Sequence, residues 1–152
     1  MLLVQWRDSI SAHKSNSSPS EILGTNRGVY TSLRLVRGRG VQWTAHLARL
    51  YSNIAQYREY NSSNLFQETS LAHFTGICSL VAKHVIAQEP NGDFRVILIA
   101  TQVEKENALM ACCTPWIEPL DVRCDVVVFG RPRLRPTVKD TCWSMYRILI
   151  QR

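Results

Sequence analysis

Lys139 stands in the segment Arg135-Pro136-Thr137-Val138-Lys139-Asp140-Thr141, with Arg133 and Arg135 just before it. A lysine attacks an electrophile only after losing its proton, and burial beside other cations lowers its pKa enough for that. Arg49, in His46-Leu47-Ala48-Arg49-Leu50, carries a planar, permanently charged fork that holds two phosphate oxygens at once, which a lysine there would not do. Tyr30 offers a ring for a pocket wall and a hydroxyl for a hydrogen bond. Arg34 follows it by four residues, so in an extended strand both project from one face and the guanidinium can receive a carboxylate. Each has a plainer reading when taken alone: a solvated lysine, a helix-surface arginine, a strand-core tyrosine and a hairpin-surface arginine.

The elements that must position these groups are partly visible. Residues 29–36 are rich in strand formers, and Arg37-Gly38-Arg39-Gly40 supplies a turn before Val41 and Trp43, which predicts a β-hairpin. Thr44 then caps a helix with apolar positions Leu47, Leu50 and Ile54, placing His46 and Arg49 on a neighbouring face. A second helix follows from a capping pair at Asn64 and Gln67, with the stripe Phe74, Ile77, Cys78, Val81, Val85, and ends at Pro90-Asn91-Gly92. Residues 94–101 form a continuous apolar run suited to a strand buried on both faces, with a return strand at 108–114 and another at 125–129. Two prolines exclude helix across 130–136. A hairpin, two helices and several strands in that order predict an α+β layer, with both helices on one face of a mostly antiparallel sheet. Residues 1–23, rich in Ser and Asn in their second half, are expected to be a poorly ordered lead-in.

Composition bounds the function. At 152 residues and 45% hydrophobic content the chain can bury a core. No apolar run is long enough to span a bilayer, and Arg7 and Asp8 interrupt the opening too early for a signal peptide, so a cytoplasmic, membrane-free protein is expected. Cysteines at 78, 112, 113, 124 and 142 have no spacing suited to zinc or to a disulfide framework, and are expected to be buried small apolar groups without a metal. The net charge of +6 is concentrated in arginine clusters at 34, 37, 39 and 131, 133, 135, which can hold phosphate or lie solvated. Without a zinc knuckle, helix-turn-helix spacing or stacking-aromatic array, nucleic acid is not the expected partner.

Two ordered stretches, Gly28-Val29-Tyr30-Thr31-Ser32-Leu33-Arg34 and His46-Leu47-Ala48-Arg49-Leu50, resemble the class IV pyridoxal-phosphate-dependent aminotransferases, a fold-type IV family that includes D-amino-acid and branched-chain aminotransferases and aminodeoxychorismate lyase. The segment around Lys139 supplies a third match. The resemblance implies pyridoxal 5'-phosphate as cofactor, Lys139 as the Schiff-base lysine, Arg49 on the cofactor phosphate, Tyr30 as an active-site aromatic, and Arg34 with Tyr30 on the substrate. It implies an amino acid and a 2-oxo acid as substrates, with transfer of the amino group between them, and a homodimer. Thr31 departs from the acidic residue that many relatives carry after the aromatic.

By that resemblance, residues 24–118 are a small α+β domain and 119–152 the incomplete start of the cofactor-binding domain. The carboxylate that pairs with the pyridine nitrogen lies well downstream of the lysine in the family, whereas this chain runs only to Arg152. A truncated enzyme is therefore the leading expectation. A lyase of the same family and a non-catalytic interaction or dimerisation domain are the alternatives.

Overall fold

The computed structural model describes residues 1–88 and 92–117. The expected strand at 125–129, Lys139 and the expected domain 119–152 lie outside them. The described residues form a six-stranded antiparallel sheet with helices on both faces, the α+β class expected.

The first 23 residues are not a lead-in. They form strand β1 (Leu2–Trp6), strand β2 (Ile10–Lys14) and most of helix α1 (Pro19–Thr25). β1 is an inner strand: it pairs with β2 on one side and with β6 (Glu106–Pro115) on the other. Leu3 and Val4 point to opposite faces and are both buried, so the opening Leu2-Leu3-Val4 lacks the polar alternation that marks a half-exposed strand. α1 starts at a capping box, in which the Ser18 hydroxyl accepts from the Glu21 N–H (3.2 Å) and the Glu21 carboxylate accepts from the Ser18 N–H (2.6 Å), with Pro19 at the first helical position. These bonds hold the Glu21 carboxyl below the usual glutamate range.

The sheet order is β2-β1-β6-β5-β3-β4, where β3 is Gly28–Val36, β4 Arg39–Gly40 and β5 Phe94–Val103. Arg37 and Gly38 turn β3 into β4 with positive φ (46° and 74°), the twist a two-residue hairpin favours. The hairpin is shorter than expected, because Gln42 adopts a left-handed conformation (φ 50°) and Trp43 already begins helix α2 (Trp43–Asn61). Thr44 therefore lies inside the helix and does not cap it. Glu104 and Lys105 make a second positive-φ turn between β5 and β6.

Helices α2 and α3 (Leu71–Gln88) cover one face as expected. Leu47, Leu50 and Ile54 of α2, and all five stripe residues of α3, are buried against Val29, Leu33, Val96, Leu98 and Leu109 of the sheet. The cap of α3 is Ser70, whose hydroxyl accepts from the His73 N–H at 3.2 Å. Asn64 and Gln67, expected to form that cap, instead close a turn between the helices. α1 covers part of the opposite face, where Leu23 packs in one cluster with Leu3, Tyr30, Ile97, Ile99, Met110 and Cys112. No helix among the described residues is long and apolar enough to cross a membrane.

Candidate functional site

Side chains alternate along β3, which divides the candidate groups between the two faces of the sheet. Val29, Thr31, Leu33 and Leu35 turn toward α2 and α3, whereas Tyr30, Ser32 and Arg34 turn away. Strand register extends the second set into rows: Tyr30 beside Ile99 and Met110, Ser32 beside Ile97 and Cys112, and Arg34 beside Arg95 and Thr114.

Arg49 sits on the helix-covered side. One of its terminal nitrogens donates to the Thr31 hydroxyl (3.0 Å) and approaches His46 Nδ1 (2.9 Å), and Thr31 and His46 are themselves 3.1 Å apart. With the arginine as donor, Nδ1 is the acceptor and the ring proton resides on Nε2. His46 thus fixes the position of the guanidinium and ties α2 to β3. The acceptors are both neutral, and among the described residues Arg49 forms no ion pair. An acidic residue in place of Thr31 would neutralise the fork at its root; threonine positions it and leaves its charge available.

Tyr30 is 7% exposed and packs in the apolar cluster of the opposite face. Arg34 shares that face, but four residues of extended chain put the two Cα atoms about 13 Å apart. Arg34 ion-pairs with Asp93 at 3.0 Å, and its guanidinium lies 4.5 Å from the centre of the Trp116 ring. Asp93 also accepts from the Arg37 N–H at 3.2 Å. The structure therefore brings Arg34 together with Asp93 and Trp116, and Arg49 with Thr31 and His46. It does not bring Arg34 and Arg49 together. Asp93 and Trp116 gave no sequence signal, since each is far along the chain from Arg34 and meets it only through strand pairing.

Three clefts formed by described residues, of about 440 to 550 Å³, are lined by other groups and contain none of Tyr30, Arg34 and Arg49. Cys78, Cys112 and Cys113 are buried free thiols, each pushed up to about 12 by burial. Because the folded-state value exceeds the ordinary one of 9.0, these thiols favour the fold below pH 9, and that contribution disappears as pH rises from about 9 to about 12. Iodoacetamide at pH 8 is therefore expected to leave the peptides carrying these three cysteines unlabelled in the native chain and to label them in guanidinium. Rapid native labelling, read by peptide mass, would contradict their burial.

No family model matches this sequence, and no curated protein matches it either. Solved structures do. An aminotransferase from Brucella abortus bound to the cofactor PLP superposes with a TM-score of 0.59 at 17% identity, over 99% of this chain and 58% of that one. The α+β fold matches the N-terminal domain of the fold-type IV aminotransferases. A proposed branched-chain amino acid aminotransferase from Thermotoga maritima (TM-score 0.48, 17% identity, 77% of this chain and 39% of that one) and a fold IV-transaminase from Curtobacterium pusillum (0.44, 13%, 73% and 42%) are also similar. The chain thus spans between 39% and 58% of the length of these proteins.

Proposed function

We propose that this chain carries the phosphate-binding and substrate-facing side of a PLP-dependent aminotransferase site, moving an amino group between an amino acid and a 2-oxo acid. The observation that supports this most is the Thr31–His46–Arg49 cluster. A guanidinium held by two neutral acceptors, and unpaired with any carboxylate among the described residues, suits a phosphate. The fold it shares with a PLP-bound aminotransferase is consistent with that assignment.

In this reading Arg49 anchors the cofactor phosphate and His46 with Thr31 keeps the fork from swinging. Tyr30 and Arg49 sit on opposite faces of β3, so a ligand lying along the flank of β3 away from β5 is met by both. Tyr30 walls that flank and offers its hydroxyl. Lys139 is the proposed attachment point, and its amine shuttles the proton at the substrate Cα. The cofactor, when bound, supplies an electron sink for that proton transfer. Arg34 receives a substrate carboxylate, and its salt bridge to Asp93 means that this anion arrives at a partly neutralised cation.

Titration of the full chain with pyridoxal phosphate, followed by visible absorbance and by borohydride reduction, tests the reading. Wild type is expected to show a bound-cofactor band and, after reduction, a labelled peptide containing Lys139. Arg49→Ala is expected to weaken cofactor binding by about tenfold or more, since a charged hydrogen-bonding partner contributes roughly 1.5–3 kcal/mol. Thr31→Val, which removes one acceptor, is expected to weaken it less. An unlabelled Lys139 peptide in saturating cofactor, or an Arg49→Ala chain that binds as wild type does, would sink the proposal.

A further inference from the structure

Helix α3 contains a glycine that its own fold does not need. Glycine inside a helix is expected where another backbone comes close or where φ is positive. Gly76 meets neither condition: a Cβ there would touch nothing within 4 Å, and its φ is not positive. The missing side chain instead leaves a hollow. A cleft of about 440 Å³ opens there, between α3 and Trp6 of β1.

The walls of this cleft are apolar. Gly76, Ile77 and Leu80 line it from one face of the helix, and Trp6, which packs against the edge of the core, lines it from the sheet. Leu80 is 49% exposed, four residues from the position without a side chain. Ser79 also borders the cleft, but its hydroxyl donates to the Thr75 carbonyl at 2.8 Å. The remaining polar groups are His73 and Lys83. Neither side chain has a hydrogen-bond acceptor or a carboxylate among the described residues. Neither α3 nor the cleft lining contains an acidic residue, so the Lys83 ammonium stands as an unanswered charge beside an apolar hollow.

We propose that the cleft between Gly76 and Trp6 binds an amphiphilic carboxylate, an arylalkanoic or medium-chain aliphatic acid, with its apolar end over Gly76 and its carboxylate on Lys83. The volume lies in the range of small-ligand sites. A ring or chain placed there is covered by Trp6, Ile77 and Leu80, and removing it from water drives the binding. Lys83 then selects for negative charge. His73 and Lys83 bound the hollow along the helix, three residues before Gly76 and seven after, so it receives one apolar group and not the repeated anchors of a docked helix. The cleft shares no residue with Tyr30, Arg34 or Arg49, and the proposal does not rest on the cofactor reading.

NMR titration of the isotope-labelled full chain with phenylbutyrate, octanoate and the charge-reversed phenylbutylamine measures it directly. Wild type is expected to bind at least one of the acids with a Kd of roughly millimolar, as ligands of this size allow, shifting the Gly76 amide and Trp6 indole signals. The amine is expected to bind about threefold more weakly or less well still. Lys83→Met, an exposed position, is expected to weaken acid binding about threefold and to erase the preference over the amine. Gly76→Leu fills the hollow and is expected to weaken acid binding about tenfold or more. Its melting temperature is expected to match or exceed that of wild type, because leucine suits a helix better than glycine. Tighter binding of octanoate marks the natural ligand as aliphatic, and tighter binding of phenylbutyrate marks it as aromatic. Gly76 and Trp6 signals that move with neither acid overturn the proposal. So does a folded Gly76→Leu chain with unchanged binding. An amine bound as tightly as the acids, or a preference for acid that survives Lys83→Met, overturns it too, by reducing the cleft to a general apolar surface.

Discussion

Gly28→Ala is expected to destabilise the chain severely, while Gly76→Ala is expected to stabilise it. A Cβ built on Gly28 falls well inside contact distance of the Ala100 carbonyl oxygen, with the carbonyl carbon at 3.0 Å and Thr101 Cα at 3.1 Å. All three are backbone atoms of β5, the strand to which β3 is paired, so no side chain can rotate out of the way. Relief requires β3 and β5 to part where Gly28 faces Thr101. Overpacking of this kind costs about 1–3 kcal/mol and more where the backbone must move. Gly76 lies within α3, where an added Cβ meets nothing within 4 Å, and alanine there gains about 0.5–1 kcal/mol of helix preference. Thermal melts of the two variants should move in opposite directions, Gly28→Ala downward by on the order of 10 °C. Equal shifts would show that β3 and β5 are not as closely apposed as described.

Phe74→Ala is expected to cost roughly 3–5 kcal/mol, the range for deleting a fully buried phenyl group, because its surroundings cannot collapse into the space. Phe74 is fully buried at the meeting point of three elements. It packs edge-on against Phe66 (5.2 Å, 82°) and tilted against Tyr51 (5.6 Å, 48°), and Phe66 stacks on Trp6 of β1 at 6.3 Å. Phe66 holds its place in a left-handed conformation (φ 48°), with its N–H donated to the Asn107 side chain at 2.9 Å, while the Tyr51 hydroxyl is spent on the Thr69 carbonyl at 2.8 Å. These anchored neighbours leave a cavity where Phe74 stood. Guanidinium unfolding should show the loss in full, with Leu80→Ala on the exposed side of the same helix close to wild type. A loss below about 1 kcal/mol for Phe74→Ala would mean that the aromatic cluster repacks freely.

What could be read from the sequence depended on how local the cause was. The stripe from Phe74 to Val85 identified the buried face of α3 residue for residue, because helical spacing alone decides it. Gly28 was legible as part of a motif, and the structure supplies the reason in the approach of Ala100. The opening segment was misread because β1 is buried on both faces and so shows no period, although the capping box at Ser18 and Glu21 was present to be seen. Capping at Thr44 and at Asn64 failed because residues suited to a role do not say which of several adjacent positions fills it. For the site, the nearness of His46 to Arg49 followed from helical spacing, but their common partner Thr31 did not. The pairing of Arg34 with Asp93, across 59 residues, needed the sheet register. Lys139 remains a proposal drawn from resemblance.

The outermost strand β2 has consequences for the behaviour of the molecule in concentrated solution. It is five residues long, largely exposed, and carries Ser11, His13 and Lys14 on a border that another chain would have to join. A strand added there would gain backbone hydrogen bonds but find almost no apolar surface to cover, and would have to approach a lysine ammonium. The rich apolar run of β5 sits three strands further in, flanked by β6 and β3 on either side. This long apolar, proline-free strand is thus paired on both sides, and self-association through this border is disfavoured for as long as β1 and β2 stay paired.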